Sequence, residues 1–245
     1  MNRELWKPKS FKKTGKYPCP KCFNGILFGE SKLIEITVGG KEMLGNGYPH
    51  GIDNLFCGIL KCNNDECSEI ISANGLLLSD IRDVYQDENG EYVELNLEIF
   101  QPKYFFPNLR MFKLSNDVPQ NIRKLIDKAF SFYFLDNNAC ANTIRTAIEK
   151  ILDDLKAPKK KRNRAGNLTE ITKLHFRIEN FSKKKPKICK LLMALKIIGN
   201  EGSHTENTDD DSILDALEIL EMLVEMTYVK NYARVERIAE KIIQR

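Results

Sequence analysis

Nowhere in these 245 residues does an apolar run approach the length needed to cross a bilayer. The basic N-terminus, MNRELWKPKSFKKTGK, has no apolar segment behind it to act as a secretion signal. The chain therefore reads as soluble, unexported and cytoplasmic, with no membrane partner. It also lacks an internal repeat, a phosphate-cradling glycine loop and a paired-carboxylate signature, which leaves nucleotide-driven chemistry without support. Net charge is small too. A net +4 at pH 7 is too small for this length to argue nucleic-acid binding from the total.

What is present is unevenly distributed. Most glycines and most of the seven cysteines fall in the first hundred residues, whereas from about residue 117 the apolar residues recur at helical spacing. The expected fold class is α+β, with a small antiparallel β domain of short strands over 1–110 and an all-α antiparallel bundle over 115–245. Reducing cytosol keeps thiols free, so clustered cysteines point to metal and not to disulfides.

Cys19 and Cys22, in YPCPKCFNG, are spaced so that both thiolates face one ion. The second half, LFCGILKCNNDECSEI, offers Cys57, Cys62 and Cys67 at equal gaps. Cys62 and Cys67 are the better pair, because Asn63, Asn64, Asp65 and Glu66 between them form a polar turn able to wrap a metal. The Gly58–Lys61 segment reads as a strand, leaving Cys57 as a buried or spare thiol. His50, in a turn rich in Gly and Pro, is an alternative ligand. A filled four-thiolate set is a structural Zn2+ site of zinc-ribbon type, with no water left to activate. Leu33–Val38 and Tyr92–Ile99 supply strand-like runs around it.

Asn116, Asp117 and Pro119 signal a first helix with Ile122, Leu125, Ile126, Ala129, Phe130 and Tyr133 inward. A second, capped near Asn137 or Asn138, turns Ile144, Ile148, Ile151, Leu152 and Leu155 inward. Between Pro158 and Gly166 lies a basic loop whose Lys159, Lys160, Lys161, Arg162 and Arg164 are candidate phosphate contacts. The spacing predicts a third helix from Leu168 to Phe181 and a fourth from Ile188 to Ile198, stopped by Gly199 and Asn200. A fifth, recapped by Asp210 or Asp211, and a sixth amphipathic segment complete the chain.

Two polar features stand out. Arg145 and Glu149, four apart, share the edge of the second helix's apolar stripe. His204 follows a polar run, Gly199-Asn200-Glu201-Gly202-Ser203, where an imidazole can exchange protons near neutral pH. His175, beside Leu174, reads as a packed or half-exposed histidine.

The order DVPQNIRKLIDKAFSFYF, NTIRTAIEKIL, LHFRIENF, LLMALKIIGNEGSH resembles a domain-of-unknown-function family placed in the HEPN superfamily (higher eukaryotes and prokaryotes nucleotide-binding), over about residues 115 to 230. Its most specific pieces are Arg145 with Glu149 and the block Gly199 to His204. The resemblance implies a dimerising antiparallel helical bundle, often behind a zinc ribbon, and a metal-independent ribonuclease of prokaryotic phage-defence or restriction systems. His204 matches the catalytic histidine. The motif arginine does not match, its positions being Ile197, Ile198 and Gly199; Arg145 or Lys196 is the substitute cation, with Glu149 and Asn200 beside them.

The expected function is nucleic-acid binding, RNA before DNA, and cleavage by a homodimer. The rival expectation is a non-catalytic interaction or nucleic-acid-binding subunit with a defence-system protein partner.

Overall fold

A computed structural model describes residues 1–7, 9–10, 17–46, 54–163, 166–204 and 208–244; at 79–85, 93–97, 201–204 and 230–233 it describes the backbone alone. The chain divides into two compact units, Asn2–Met111 and Phe112–Arg245, with Met1 grouped with the second.

The first unit follows strand periodicity. Strands β1 (Leu27–Ile36), β2 (Asn54–Cys62), β3 (Ile70–Gln86) and β4 (Tyr92–Phe106) form one antiparallel sheet in sequence order. Alternation along them sends Phe56, Leu60, Ile71, Ala73, Leu77, Phe100 and Phe105 to one buried face. Trp6 and Tyr17 seal it, their rings stacked at 5.7 Å, with Tyr17 edge-on to Phe105 at 5.6 Å. Each large apolar side chain withdrawn from water here contributes about 1.5–3 kcal/mol.

Two expectations need correcting. The strands are long, not short: β3 has 17 residues and β4 has 15. No proline interrupts β3, and its hydrogen bonding runs on to the turn at Asp87, whose carboxylate accepts from the amides of Asn89 and Glu91, both at 2.9 Å. Because β2 pairs with β3 only as far as Leu77, the segments Leu78–Gln86 and Tyr92–Ile99 pair solely with each other. At usual strand rise this arm is roughly 30 Å long. The strand read over Leu33–Val38 also ends early, because the Thr37 hydroxyl accepts from the Gly40 amide at 3.0 Å and caps helix α1 (Val38–Gly45).

In the second unit, α2 (Gln120–Tyr133) and α3 (Asn137–Asp154) pack as neighbours, and α3 also packs on α5 (Pro186–His204). Helices α4 (Leu174–Ser182) and α6 (Asp210–Tyr228) flank α5, and α7 (Lys230–Ile243) closes the chain. The core holds Ile144, Ile148, Ile151 and Leu152 from α3, Leu192 and Leu195 from α5, and Leu214, Leu217 and Leu220 from α6. Expected inward residues Leu125, Leu155, Leu191 and Ile198 are only half-buried.

This half is not all-helical. The basic loop is a hairpin, β5 (Lys160–Arg162) paired with β6 (Leu168–Glu170), so the helix expected from Leu168 begins only at Leu174. The Asn163 side chain accepts from the Asn167 amide at 2.9 Å and closes the turn, and Gly166 takes the left-handed φ of 84° that the turn requires. The caps shift by a residue as well. Asp136 caps α3 and Asp209 caps α6, while Asn137 and Asn138 bind Thr208 and Asp210 ahead of α6. Among the described residues no helix is long and apolar enough to cross a membrane.

Candidate metal centre and candidate nucleic-acid interface

Four thiols converge at the end of the sheet. The sulfurs of Cys19, Cys22, Cys62 and Cys67 all lie within 4.8 Å of one another. Cys19–Cys67 and Cys22–Cys62 are separated by 3.7 and 3.8 Å. A tetrahedron of sulfurs about 2.3 Å from a central ion has edges of about 3.8 Å, so the spacing fits a metal such as zinc.

The two cysteine turns are built alike. Directly after the second cysteine of each pair, Phe23 and Ser68 adopt left-handed backbone, at φ 59° and 46°, each costing about 1–2 kcal/mol for a non-glycine residue. The Phe23 bend lets Gly25 N–H donate to Cys22 Sγ at 3.3 Å, and in the second turn, ahead of the Ser68 bend, Asn64 N–H donates to Cys62 Sγ at 3.4 Å. A Cβ on Gly25 would lie 2.3 Å from Cys62 Sγ, so glycine is what allows the first turn to approach the second. Lys21 and Glu69, 3.0 Å apart, tie the turns from outside.

Electrostatics divide the thiols. Burial pushes Cys19 up to about 12 and also raises Cys62. At Cys22 burial acts upward too, but the amides of Asn24 and Gly25 and the neighbouring thiols outweigh it and bring it down to about 6. Cys57 stands outside the cluster, mid-strand in β2, and is exposed, not buried. His50 lies outside the described residues.

In the helical unit, Arg145 and Asn200 meet. The Arg145 guanidinium donates through Nη1 to the Asn200 side-chain oxygen, and its Nε lies 3.7 Å from Glu149 Oε1. Helix α5 does not stop at Gly199 and Asn200 as its composition implied; it runs on to His204. The reason is packing. Gly199 is buried where α5 crosses α3, and a Cβ there would lie 2.9 Å from Arg145 Cβ and 3.4 Å from the Ala141 carbonyl. The glycine admits a neighbouring helix and does not terminate its own. Lys196, half-buried, and Asn200 fall one turn apart on α5, and the backbone of residue 204 one turn further. The His204 imidazole lies outside the described side chains, as does Arg164.

The basic hairpin is exposed and locally ordered. Lys159 Nζ pairs with Asp153 at 3.0 Å, Lys161 Nζ lies 5.1 Å from the centre of the Phe176 ring, and Arg162 donates to the Gly166 carbonyl at 3.0 Å; Lys160 shares its strand. At the hairpin's root, buried Arg177 reaches Asp153 at 2.7 Å and the Ala157 carbonyl at 3.2 Å. Sequence reasoning missed this tie. Its signal was a cation at 177, within the apolar stripe Leu174, Ile178, Phe181, which demands a buried partner. His175 is exposed and pairs with Glu179 at 3.4 Å.

No curated protein and no solved structure matches this chain. Residues 8–105 match the profile of a family described as a domain of unknown function (DUF8608), and residues 127–244 match that of another domain of unknown function (DUF4145), so each half is similar to a family described without an activity.

Proposed function

We propose that this chain is a HEPN-like, defence-associated RNA-binding protein of the cytoplasm, working as a homodimer, with its N-terminal sheet unit stapled by a structural Zn2+ in a zinc-ribbon-like site. The observation that carries the reading is the junction of Arg145 and Asn200 beside Gly199, one helical turn before His204. It gathers the most specific pieces of the HEPN resemblance on two packed helices. A phosphate approaching there meets the remaining guanidinium donors of Arg145 and the ammonium of Lys196. The hairpin supplies a second, sequence-independent contact to the backbone through Lys159, Lys160, Lys161 and Arg162. Three of its cations are already held by local contacts, so little ordering is lost when RNA binds.

Zinc follows from the donor set: four thiolates fill a tetrahedron and leave no open position, so the ion holds the two turns together and takes no part in chemistry.

Binding without cleavage is the form favoured here. The Arg145 guanidinium is already shared by Glu149 and Asn200, and positions 197–199 carry no cation to stabilise the phosphorane charge. The cleaving form has His204 from each protomer as base and acid. One takes the 2'-hydroxyl proton as that oxygen attacks phosphorus, the other gives a proton to the departing 5' oxygen, and a 2',3'-cyclic phosphate remains.

The test is titration of purified protein with labelled single-stranded RNA at several salt concentrations. Reversing Lys159, Lys160, Lys161 and Arg162 to Glu should weaken binding at least about tenfold and flatten the salt slope by up to about 3, at roughly 0.7 per phosphate contact. His204→Ala should bind as wild type. Unchanged affinity in the hairpin variant would remove the hairpin contact, and wild type that binds no RNA would remove the RNA reading. Cyclic phosphate ends made by wild type and lost in His204→Ala would replace the non-catalytic form with the cleaving one.

A further inference from the structure

The sheet has a second apolar face. Strand register places Phe28, Leu33, Leu55, Ile70, Tyr104 and Phe106 on the side opposite the buried core, and all six are exposed, Phe106 at 77 % and Leu33 at 62 %. They lie in rows across the strands: Phe28–Lys61–Ile70, then Ser31–Ile59–Ser72–Phe106, then Leu33–Cys57–Asn74–Tyr104, then Glu35–Leu55–Leu76–Gln101. Around the last two rows the surface dips into an open hollow of about 470 Å³ bordered by Lys103. A contiguous apolar patch of this kind is uncommon on a surface that stays in water.

Charge selects the occupant. The rows hold Lys61 at one end of the face and Glu35 at the other, with Lys103 at the rim of the hollow beside Glu35 and apolar and neutral side chains between them. Two separated cations with an anion beside one of them make no continuous positive groove for a nucleic-acid backbone. It does match itself. Laid face to face about a two-fold axis perpendicular to the strands, the first row of one copy meets the last row of the other. Lys61 then comes over the partner's Leu55 and Glu35 pair, twice by symmetry.

Size is consistent with this. Four strands by four rows give a footprint of roughly 19 Å by 24 Å at usual spacings. That is over half of the about 800 Å² each partner contributes to a standard interface, before the relief of the protruding side chains is counted.

We propose that this face is a homodimer interface, formed by stacking the outer sheet faces of two copies about 10 Å apart. Cys57, exposed near its centre, becomes buried in the pair. The inference rests on the homodimer of the proposed function and supplies its interface, while the RNA contacts proposed there lie in the helical unit.

The full-length zinc-loaded protein is examined by sedimentation velocity across a range of concentrations. Wild type should dimerise, and Tyr104→Glu and Leu33→Glu, both at exposed positions, should be folded monomers. Lys61→Glu alone and Glu35→Lys alone should each weaken association at least about tenfold, and the double exchange should restore most of it. Cys57 should react with a thiol reagent more slowly as protein concentration rises. A monomeric wild type, or a dimer indifferent to Tyr104→Glu, overturns the proposal. A dimer held elsewhere leaves Cys57 labelling independent of concentration and overturns it as well. Loss of the interface with RNA binding intact would separate this failure from that of the functional reading.

Discussion

Replacing Gly199 by alanine tests the crossing of α3 and α5 directly. In an open helix the change adds stability, up to about 1 kcal/mol, because glycine surrenders more backbone freedom on folding. At 199 the new methyl would lie 2.9 Å from Arg145 Cβ, an atom fixed to the α3 backbone, and 3.4 Å from a carbonyl oxygen of the same helix. Neither can swing aside, so the helices must separate, and overpacking of this kind costs about 1–3 kcal/mol. The expected net is destabilisation by up to about 2 kcal/mol, a fall in Tm of up to roughly 8 °C. Gly39 in α1, where a Cβ meets nothing within 4 Å, is the control. Gly39→Ala should raise stability by up to about 1 kcal/mol. Both are read by urea and thermal unfolding followed by circular dichroism. Equal stabilisation by the two substitutions would refute the account of Gly199, and with it the physical basis for the Arg145–Asn200 junction.

Chelation or Cys19→Ser should unfold the sheet unit while the helical signal persists, and one zinc per chain should be found by metal analysis; Cys57→Ser should leave the metal content unchanged. Gly25→Ala should lower zinc affinity, read by competition with a chromogenic chelator, because its methyl would displace the Cys62 sulfur. Asp153 is a pH-dependent element. Burial acts to raise its pKa, but the Lys159 ammonium and Arg177 guanidinium paired with it outweigh that and hold the carboxyl below its usual 3.8. Its contribution is therefore present above the unfolded pKa and lost as pH falls through the folded one. Asp153→Asn should cost about 1–2 kcal/mol near pH 7, limited by the carboxylate's partial exposure, and the difference should close below about pH 4 in denaturant titrations.

The four-cysteine cluster was legible because its chemistry is local: two short cysteine spacings, and a polar turn that separates Cys62–Cys67 from the strand carrying Cys57. Helices with a continuous apolar stripe, such as α3 and α6, were legible for the same reason. The end of α5 was not. Glycine and asparagine are ambiguous in sequence, since each serves a left-handed cap or a close crossing, and only the neighbouring helix decides which. The hairpin was hidden because Leu168 continues the helical spacing of Leu174 and Ile178, yet the turn at Asn163 and Gly166 and the pairing with Lys160–Arg162 outweigh that periodicity. Nothing local links Asp153 to Arg177. Their partnership exists only after α3 and α4 have been brought together.

The paired segments beyond Leu77 should open as a unit of their own. A ribbon of two strands with no third strand beside it is marginally stable in water, so its amides should exchange with solvent deuterium from the Asp87 turn inward, ahead of global unfolding. A protease cutting between Asp87 and Glu91 would leave two fragments still joined through Ser72–Leu77 and Phe100–Phe106, their cysteine cluster and aromatic core untouched. The arm can therefore be shortened or replaced at its tip, and what the protein loses by that surgery is what the arm itself contributes.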